Sequence, residues 1–247
     1  MRNQQRNEAA MPQSILNCRQ QILSFMPNNK SILSVIKTAD GSNSIRNHVI
    51  NENYHSHFGA LQESRHVFIL NGIQLLNKSN IRILEIGLGT GLNAALTAQY
   101  CLENQIHAHY TAIEPFPLTS DIIEDYVEGF DDALAKVMLW ITECNFDSEY
   151  TLNLNFKFLK QKQKLENYSS TDTFDLIYFD AFSPEVQPEL WTESIFTTLF
   201  QVLKQDGILT TYCAKGQVKR NLKAVGFAVK SLPGPPGKRE MTIGVKS

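Results

Sequence analysis

The chain has 247 residues, 43% hydrophobic and 19% charged, with 23 Lys and Arg against 25 Asp and Glu. That balance excludes a mostly disordered chain and suits one large α/β domain with an appendage. No apolar stretch approaches the length that crosses a bilayer, so no membrane span is expected.

The first residues, "MRNQQRNEAAMPQS", are polar and lack the apolar run of a secretory signal, which leads to the expectation of a cytoplasmic protein. Cys18, Cys101, Cys144 and Cys213 are scattered without C-x-x-C spacing, so neither a disulfide framework nor a zinc site is expected. An amphipathic helix is predicted over Gln13 to Phe25, ending near Pro27. Two alternating runs around Asp40-Gly41-Ser42 predict a β-hairpin. "YHSHFGALQESRHVFILNGI" follows with Leu61, Val67 and Phe68 at helical spacing and Asn71-Gly72 as the stop. His55 and His57 have no third ligand nearby, and no metal is expected. Residues 1–79 thus read as an N-terminal extension of helix, hairpin and helix.

From Asn80 the rhythm changes to strand and helix in alternation, over residues 80–247. Strands are predicted at Ile81 to Ile86, His109 to Glu114, Leu152 to Leu159, Phe174 to Asp180, Gly207 to Cys213, Phe227 to Leu232 and Met241 to Val245. Helices are predicted at Leu92 to Glu103, Leu118 to Asn145, Glu189 to Leu203 and Lys215 to Val225. Short apolar strands separated by helices predict a mostly parallel sheet covered on both faces. Only "PGPPGKRE" separates the last two strands, too little for a helical crossover, so they are expected to pair antiparallel. The outcome is a Rossmann-like α/β sheet of seven strands, six parallel and one antiparallel.

Ligands of such sheets sit beyond the carboxyl ends of the strands, and the first turn there is "RILEIGLGTGLN". Gly87, Gly89 and Gly91 allow positive φ and let a ligand approach the backbone. A dinucleotide site wants G-x-G-x-x-G/A, but Leu92 stands at the third small position, and no Walker-type lysine follows. G-x-G-x-G preceded by an acid, Glu85, is instead the pattern of S-adenosylmethionine enzymes. Glu114 ends the second strand about 25 residues on, where a carboxylate accepts ribose hydroxyls. "FDLIYFDAFSPEVQPELW" then sets Asp180 on the same rim, followed by Phe182 and Pro184. This is an altered form of the Asp/Asn-Pro-Pro-aromatic turn of amino methyltransferases, in which the polar group holds the attacking amine. Asp180 is expected to position that amine first and to act as base second, with Tyr178 and Phe182 either walling the site or serving the core.

With "TADGSNSIRN", "YHSHFGALQESRHVFI", "LEIGLGTGLN", "AIEPFP", "YFDAFSPEVQPELW", "YCAKGQVKRNLKAVGFAV" and "GPPGKREM" in view, the chain resembles a known family. It is similar to the methyltransferase half of the bifunctional tRNA 5-methylaminomethyl-2-thiouridine biosynthesis proteins, and more closely to their stand-alone relatives. The resemblance covers about Thr38 to Thr242. It implies a class I S-adenosylmethionine-dependent methyltransferase fold, S-adenosyl-L-methionine as cofactor, and methylation of the 5-aminomethyl nitrogen of a wobble uridine in tRNA. By position, Glu85, Gly87, Gly89, Gly91, Asn93 and Glu114 would bind the cofactor, and Asp180 would lie between cofactor and amine. Glu63 and Ser64 would close over the cofactor or cap a helix. No flavin-type second fingerprint is present, which implies that this chain methylates only and that a separate enzyme supplies the aminomethyl precursor. After the third strand stands "FLKQKQK" in place of the usual Gly-Asp, so the adenine contact is unassigned.

A tRNA substrate gives the charge distribution a use. Between Glu114 and Glu149 ten acids face one base, Lys136, whereas between Lys204 and Ser247 nine bases face Asp206 and Glu240. Lys238 and Arg239, on a loop stiffened by Pro233, Pro235 and Pro236, are expected to grip phosphate, with Lys215, Lys219, Arg220 and Lys223 extending the track and the lysines of "KFLKQKQK" adding to it. Three other readings stay open: a polyamine-synthase-like aminopropyl transferase, a catalytically silent RNA-binding module, and an NAD-linked dehydrogenase.

Overall fold

The structure is a computed structural model and describes residues 32–247; the helix expected over Gln13 to Phe25, and Cys18, lie outside the described residues. β1 (Leu33–Lys37) and β2 (Asn43–Asn47) form the predicted hairpin. Asp40 makes its turn: Oδ1 accepts from the Ser42 N–H at 3.0 Å and from the Thr38 hydroxyl at 2.8 Å, and Gly41 has a φ of +86°. An unanticipated strand, β3 (Glu52–Asn53), pairs with β2. Next comes α1 (Ala60–Ser64), which widens into a π-helix over Arg65–Leu70 before the chain turns at Asn71-Gly72. Such widening reorients side chains within a turn. Here it buries Val67 and Phe68, the latter with its ring 5.0 Å from that of Tyr178.

The remaining elements are β4 (Asn80–Ile86), α2 (Leu92–Glu103), β5 (His107–Ile113), α3 (Ser120–Val127), α4 (Asp132–Glu143), β6 (Glu149–Asn153), β7 (Phe156–Gln161), β8 (Phe174–Phe179), α5 (Glu193–Val202), β9 (Leu203–Thr211), α6 (Gly216–Val225), β10 (Phe227–Pro233) and β11 (Glu240–Lys246). The sheet order is β10-β11-β9-β8-β4-β5-β7-β6. β11 is antiparallel to both neighbours, as the short "PGPPGKRE" connection requires. Side chains alternate between two cores. Ile83 and Tyr178 face Val67, Phe68 and Ile45 of the N-terminal segment, while Leu84, Ile86, Ile177 and Phe179 face Trp191, Phe196 and Leu199.

Several boundaries differ from the sequence reading. The sheet has eight strands, with β6 antiparallel to β7 as well as β11 antiparallel to β9. The single strand expected over Leu152 to Leu159 is a hairpin, turned where the Asn153 side chain accepts from the Asn155 N–H at 2.8 Å. The long helix expected over Leu118 to Asn145 breaks in two, because Asp131 caps α4 by accepting from the Leu134 N–H at 2.9 Å. The helix expected from Glu189 starts at Glu193, capped by Thr192 after a 3₁₀ turn over Pro188–Trp191. β9 begins at Leu203 rather than Gly207. No helix among the described residues is long and apolar enough to cross a membrane.

Candidate active site

β4 and β8 pair in parallel, so the turns that follow them lie side by side: the Asp180 N–H donates to the Ile86 carbonyl at 3.0 Å. Gly87, Gly89 and Gly91 have φ values of +87°, +51° and +76°, a region costly for residues with a Cβ. A Cβ on Gly87 would stand 2.6 Å from the Asp180 carbonyl oxygen, which is backbone and cannot yield. Gly91 opens α2, whose first N–H groups are directed at whatever the turn holds.

Asn93, on the first turn of α2, joins two carboxylates. Its Nδ2 donates to Glu85 Oε1 at 3.0 Å and to Asp180 Oδ2 at 2.8 Å, which fixes the amide orientation. Asn93 Oδ1 is left buried without a partner, while the buried Tyr110 hydroxyl lies on the Glu85 side of the pair. Burial drives the Glu85 carboxyl well above the usual range, with Asp180 adding to the rise against the Asn93 hydrogen bond. Glu114, also buried, accepts from the N–H groups of Gly89 at 3.0 Å and Phe116 at 2.8 Å; burial raises its carboxyl and these N–H groups oppose the rise. Asp180 is pushed up to about 7, first by burial and then by Glu63, against Asn93 and Lys238.

The loop carrying Asp180 is held from four sides. Phe182 N–H donates to Gln187 Oε1 at 2.9 Å, Trp191 Nε1 to the Phe182 carbonyl at 2.9 Å, the Tyr212 hydroxyl to the Ala181 carbonyl at 2.9 Å, and the Ser183 hydroxyl to Glu52 Oε1 at 3.1 Å. Tyr54, a residue not expected at the site, lies across Gly89 and meets the Phe182 ring edge-on at 5.0 Å, joining the two loops. Its only signal was its place in "YHSHFGALQESRHVFI". Tyr178, offered as a wall of the site, is fully buried and belongs to the core.

Glu63 and Lys238 reach this rim from opposite ends of the chain. Lys238 Nζ donates to Glu63 Oε1 at 2.5 Å, and Glu63 Oε2 accepts from the Ser56 N–H at 2.7 Å. Ser64 is buried beside it and does not cap α1. The rest of the basic set divides. Lys215 pairs with Glu185, and Lys219 donates to Glu240 and Ser231, each at 2.7 Å. Arg220 is exposed and donates to Gln217 at 2.7 Å, while Lys223 and Arg239 are exposed. Lys160, counted with the basic track, instead is buried and donates to the carbonyls of Ile141 at 2.8 Å and Thr142 at 2.9 Å, at the carboxyl end of α4. His55 is buried, paired with Thr90 Oγ1 at 3.1 Å, and burial lowers it to about 4. Among the described residues no group of three His, Cys, Asp or Glu converges, and Cys101, Cys144 and Cys213 are buried free thiols.

A cavity of about 390 Å³ opens from Gly89, Thr90 and Gly91 past Glu114 to an apolar wall of Leu118, Ile141 and Phe146. The residues present fit an amino-acid-bearing nucleoside. The glycine turn is a cradle that a Cβ would fill, Glu114 offers acceptor lone pairs to ribose hydroxyls, and the unpartnered Asn93 Oδ1 is a buried acceptor for a donor such as an ammonium.

Residues 123–247 match the sequence profile of a family described as S-adenosyl-L-methionine-dependent methyltransferase. The chain is similar to the tRNA 5-methylaminomethyl-2-thiouridine biosynthesis bifunctional protein MnmC of Vibrio campbellii, at 28% identity over 215 residues, and to that of Leptospira borgpetersenii, at 32% over 209 residues. Each comparison covers 77% of this chain and 32% of the relative, so the chain spans about a third of the length of these relatives. Among solved structures, MnmC2 from Aquifex aeolicus superposes with a TM-score of 0.73 at 21% identity, over 95% of this chain and 82% of that one. Spermidine synthase from Thermotoga maritima gives 0.50 at 15%, over 87% and 68%. At such identities these two likenesses speak to the fold.

Proposed function

We propose, for a chain that belongs to the family of S-adenosyl-L-methionine-dependent methyltransferases, that the methyl acceptor is the nitrogen of an aminomethyl group on C5 of a wobble uridine in tRNA. The observation that carries this reading is the Asp180 carboxylate, tied through Asn93 to the glycine turn and held by burial near neutrality. The names of the relatives, which concern biosynthesis of 5-methylaminomethyl-2-thiouridine in tRNA, support the same acceptor.

The cofactor supplies a methyl group on a positively charged sulfur, which leaves as a neutral thioether; the chain supplies placement. Glu114 and the glycine turn would hold the nucleoside, and Glu85 with Asn93 the amino-acid end. An alkylamine has a pKa of about 10 and reaches the site charged. The Asp180 carboxylate accepts a hydrogen bond from that ammonium and orients its nitrogen. Moving a proton from a group near 10 to one near 7 costs about 4 kcal/mol, so orientation is the first task of Asp180 and proton acceptance the second. Reading a single wobble base also requires that its nucleotide be splayed out of the anticodon loop into the rim between the two turns.

The test is incubation of the purified protein with methyl-labelled S-adenosylmethionine and tRNA carrying 5-aminomethyluridine, followed by nucleoside analysis. Label in 5-methylaminomethyluridine is expected. Label in any other nucleoside, or none in tRNA, overturns the reading.

A further inference from the structure

Lys238, expected from the sequence to grip phosphate, is paired with the buried Glu63 instead. A lysine on an exposed loop that seeks phosphate points outward, whereas Lys238 is turned inward with a third of its side chain exposed. Its loop, between β10 and β11, is docked on the N-terminal segment. The Phe58 ring fills the space a side chain on Gly237 would need, and His66 Nε2 meets the Pro233 carbonyl at 2.8 Å. Lys238 Nζ then bridges Glu63 Oε1 at 2.5 Å and the face of Tyr212, 4.0 Å from the ring centre. The Tyr212 hydroxyl, in turn, holds the carbonyl of Ala181, the residue after Asp180.

We propose that Lys238 and Glu63 are positioning residues for Asp180, the pair fixing the Tyr212 ring that anchors its loop and setting the balance of charge around its carboxylate. The catalytic importance of that balance rests on the reading of Asp180 given above; the action of the pair on Asp180 does not. The groups that bear on Asp180 are Glu63 from α1, Glu85 from β4, Lys238 from the β10–β11 loop, and the phenols of Tyr110, Tyr126 and Tyr212. Glu63 disfavours the ionised form of Asp180 and Lys238 favours it. Losing the lysine leaves two like charges facing each other; losing the charge of Glu63 removes the repulsion.

The test is a carbon-13 NMR titration of aspartate-labelled protein, with the Asp180 signal assigned by its loss in Asp180→Asn. The parent midpoint is expected near 7. Lys238→Met should raise it by about one pH unit and Glu63→Gln should lower it by a similar amount, while Lys238→Arg stays near the parent. General loosening of the loop would move both variants the same way, so a common direction, or no movement, overturns the proposal. If Lys238→Met does not fold, the downward shift in Glu63→Gln and the unchanged midpoint in Lys238→Arg still decide. A rise in KM for tRNA in Lys238→Met with an unmoved midpoint would return Lys238 to phosphate binding. The titration needs no substrate, so a parent that fails to methylate aminomethyl-bearing tRNA while showing these shifts would overturn the substrate reading and leave the pair standing.

Discussion

Asp180 leaves its strand beside the glycine turn, its N–H on the Ile86 carbonyl. Its carboxyl is raised from an ordinary unfolded-state value near 3.8 to about 7, so folding favours the protonated form. The penalty for ionising it grows as pH rises from about 4 to about 7 and is constant above that. Asp180→Asn should therefore stabilise the protein at pH 8, by about 1 to 3 kcal/mol after allowance for partial solvation, as read from urea unfolding. The same variant should lose at least about a hundredfold in kcat with cofactor affinity within a few fold of the parent. For the parent, kcat/KM should climb through about pH 7 and level off as the carboxylate form fills; a profile flat from pH 5.5 to 8.5 would contradict the assignment. Gly87 sets the geometry behind this. Gly87→Ala combines a positive φ with a 2.6 Å approach to the Asp180 carbonyl, so it should weaken cofactor binding about tenfold or more by calorimetry.

Elements here are finished by side chains from distant parts of the chain. The Asn43 side chain, from β2, donates to the Tyr126 carbonyl at 2.8 Å and closes the carboxyl end of α3. Lys160, from β7, does the same for α4, giving its charge to the negative end of the helix and covering itself with the Phe146 ring at 4.7 Å. Burial lowers the Lys160 ammonium, yet it keeps two carbonyl partners. Lys160→Met should cost about 1 to 2 kcal/mol of stability, visible as a lower urea midpoint at unchanged m-value. Two boundaries were hidden in the sequence by continuous hydrophobic patterns. In "TLNLNFKFL" the period-2 alternation runs straight through the turn at Asn153 to Asn155, so nothing in the hydrophobic pattern separates β6 from β7. Gly129 and the capping Asp131 were visible stop and start signals, but the apolar periodicity on both sides masked them.

Across the whole molecule the sheet order converts a charge asymmetry in sequence into one in space. The acidic stretch lies in the elements leading from β5 to β6, and the basic stretch in β9, α6, β10 and β11 at the opposite edge. RNA should therefore approach from the β10–β11 edge, whose connecting loop carries Lys238 toward the rim that bears Asp180. Lys215 and Lys219 are held in ion pairs, whereas Arg220, Lys223 and Arg239 are exposed and make no ion pair within 4.0 Å among the described residues. Arg220→Ala and Arg239→Ala should each lower the slope of log K for tRNA against log salt by about 0.7 to 0.9, and Lys219→Ala by less. Slopes equal to the parent's for all three would remove this edge from the interface.

Sequence alone determined what local chemistry dictates. Three glycines after an apolar strand, acids at two strand ends and strand-helix alternation each report on their own few residues, and neighbouring strand ends must share a rim; hence the fold, the left-handed glycine turn and the places of Glu114 and Asp180 beyond their strands were readable. Tertiary structure alone decided what those residues meet. Glu63 and Lys238 are 175 positions apart, Tyr54 reaches Gly89 across the sheet edge, and Lys160 turns inward from a run of lysines that reads as solvent-facing. A charge's role depends on its nearest opposite charge and on how much water remains around it, and neither is a property of the stretch that carries it.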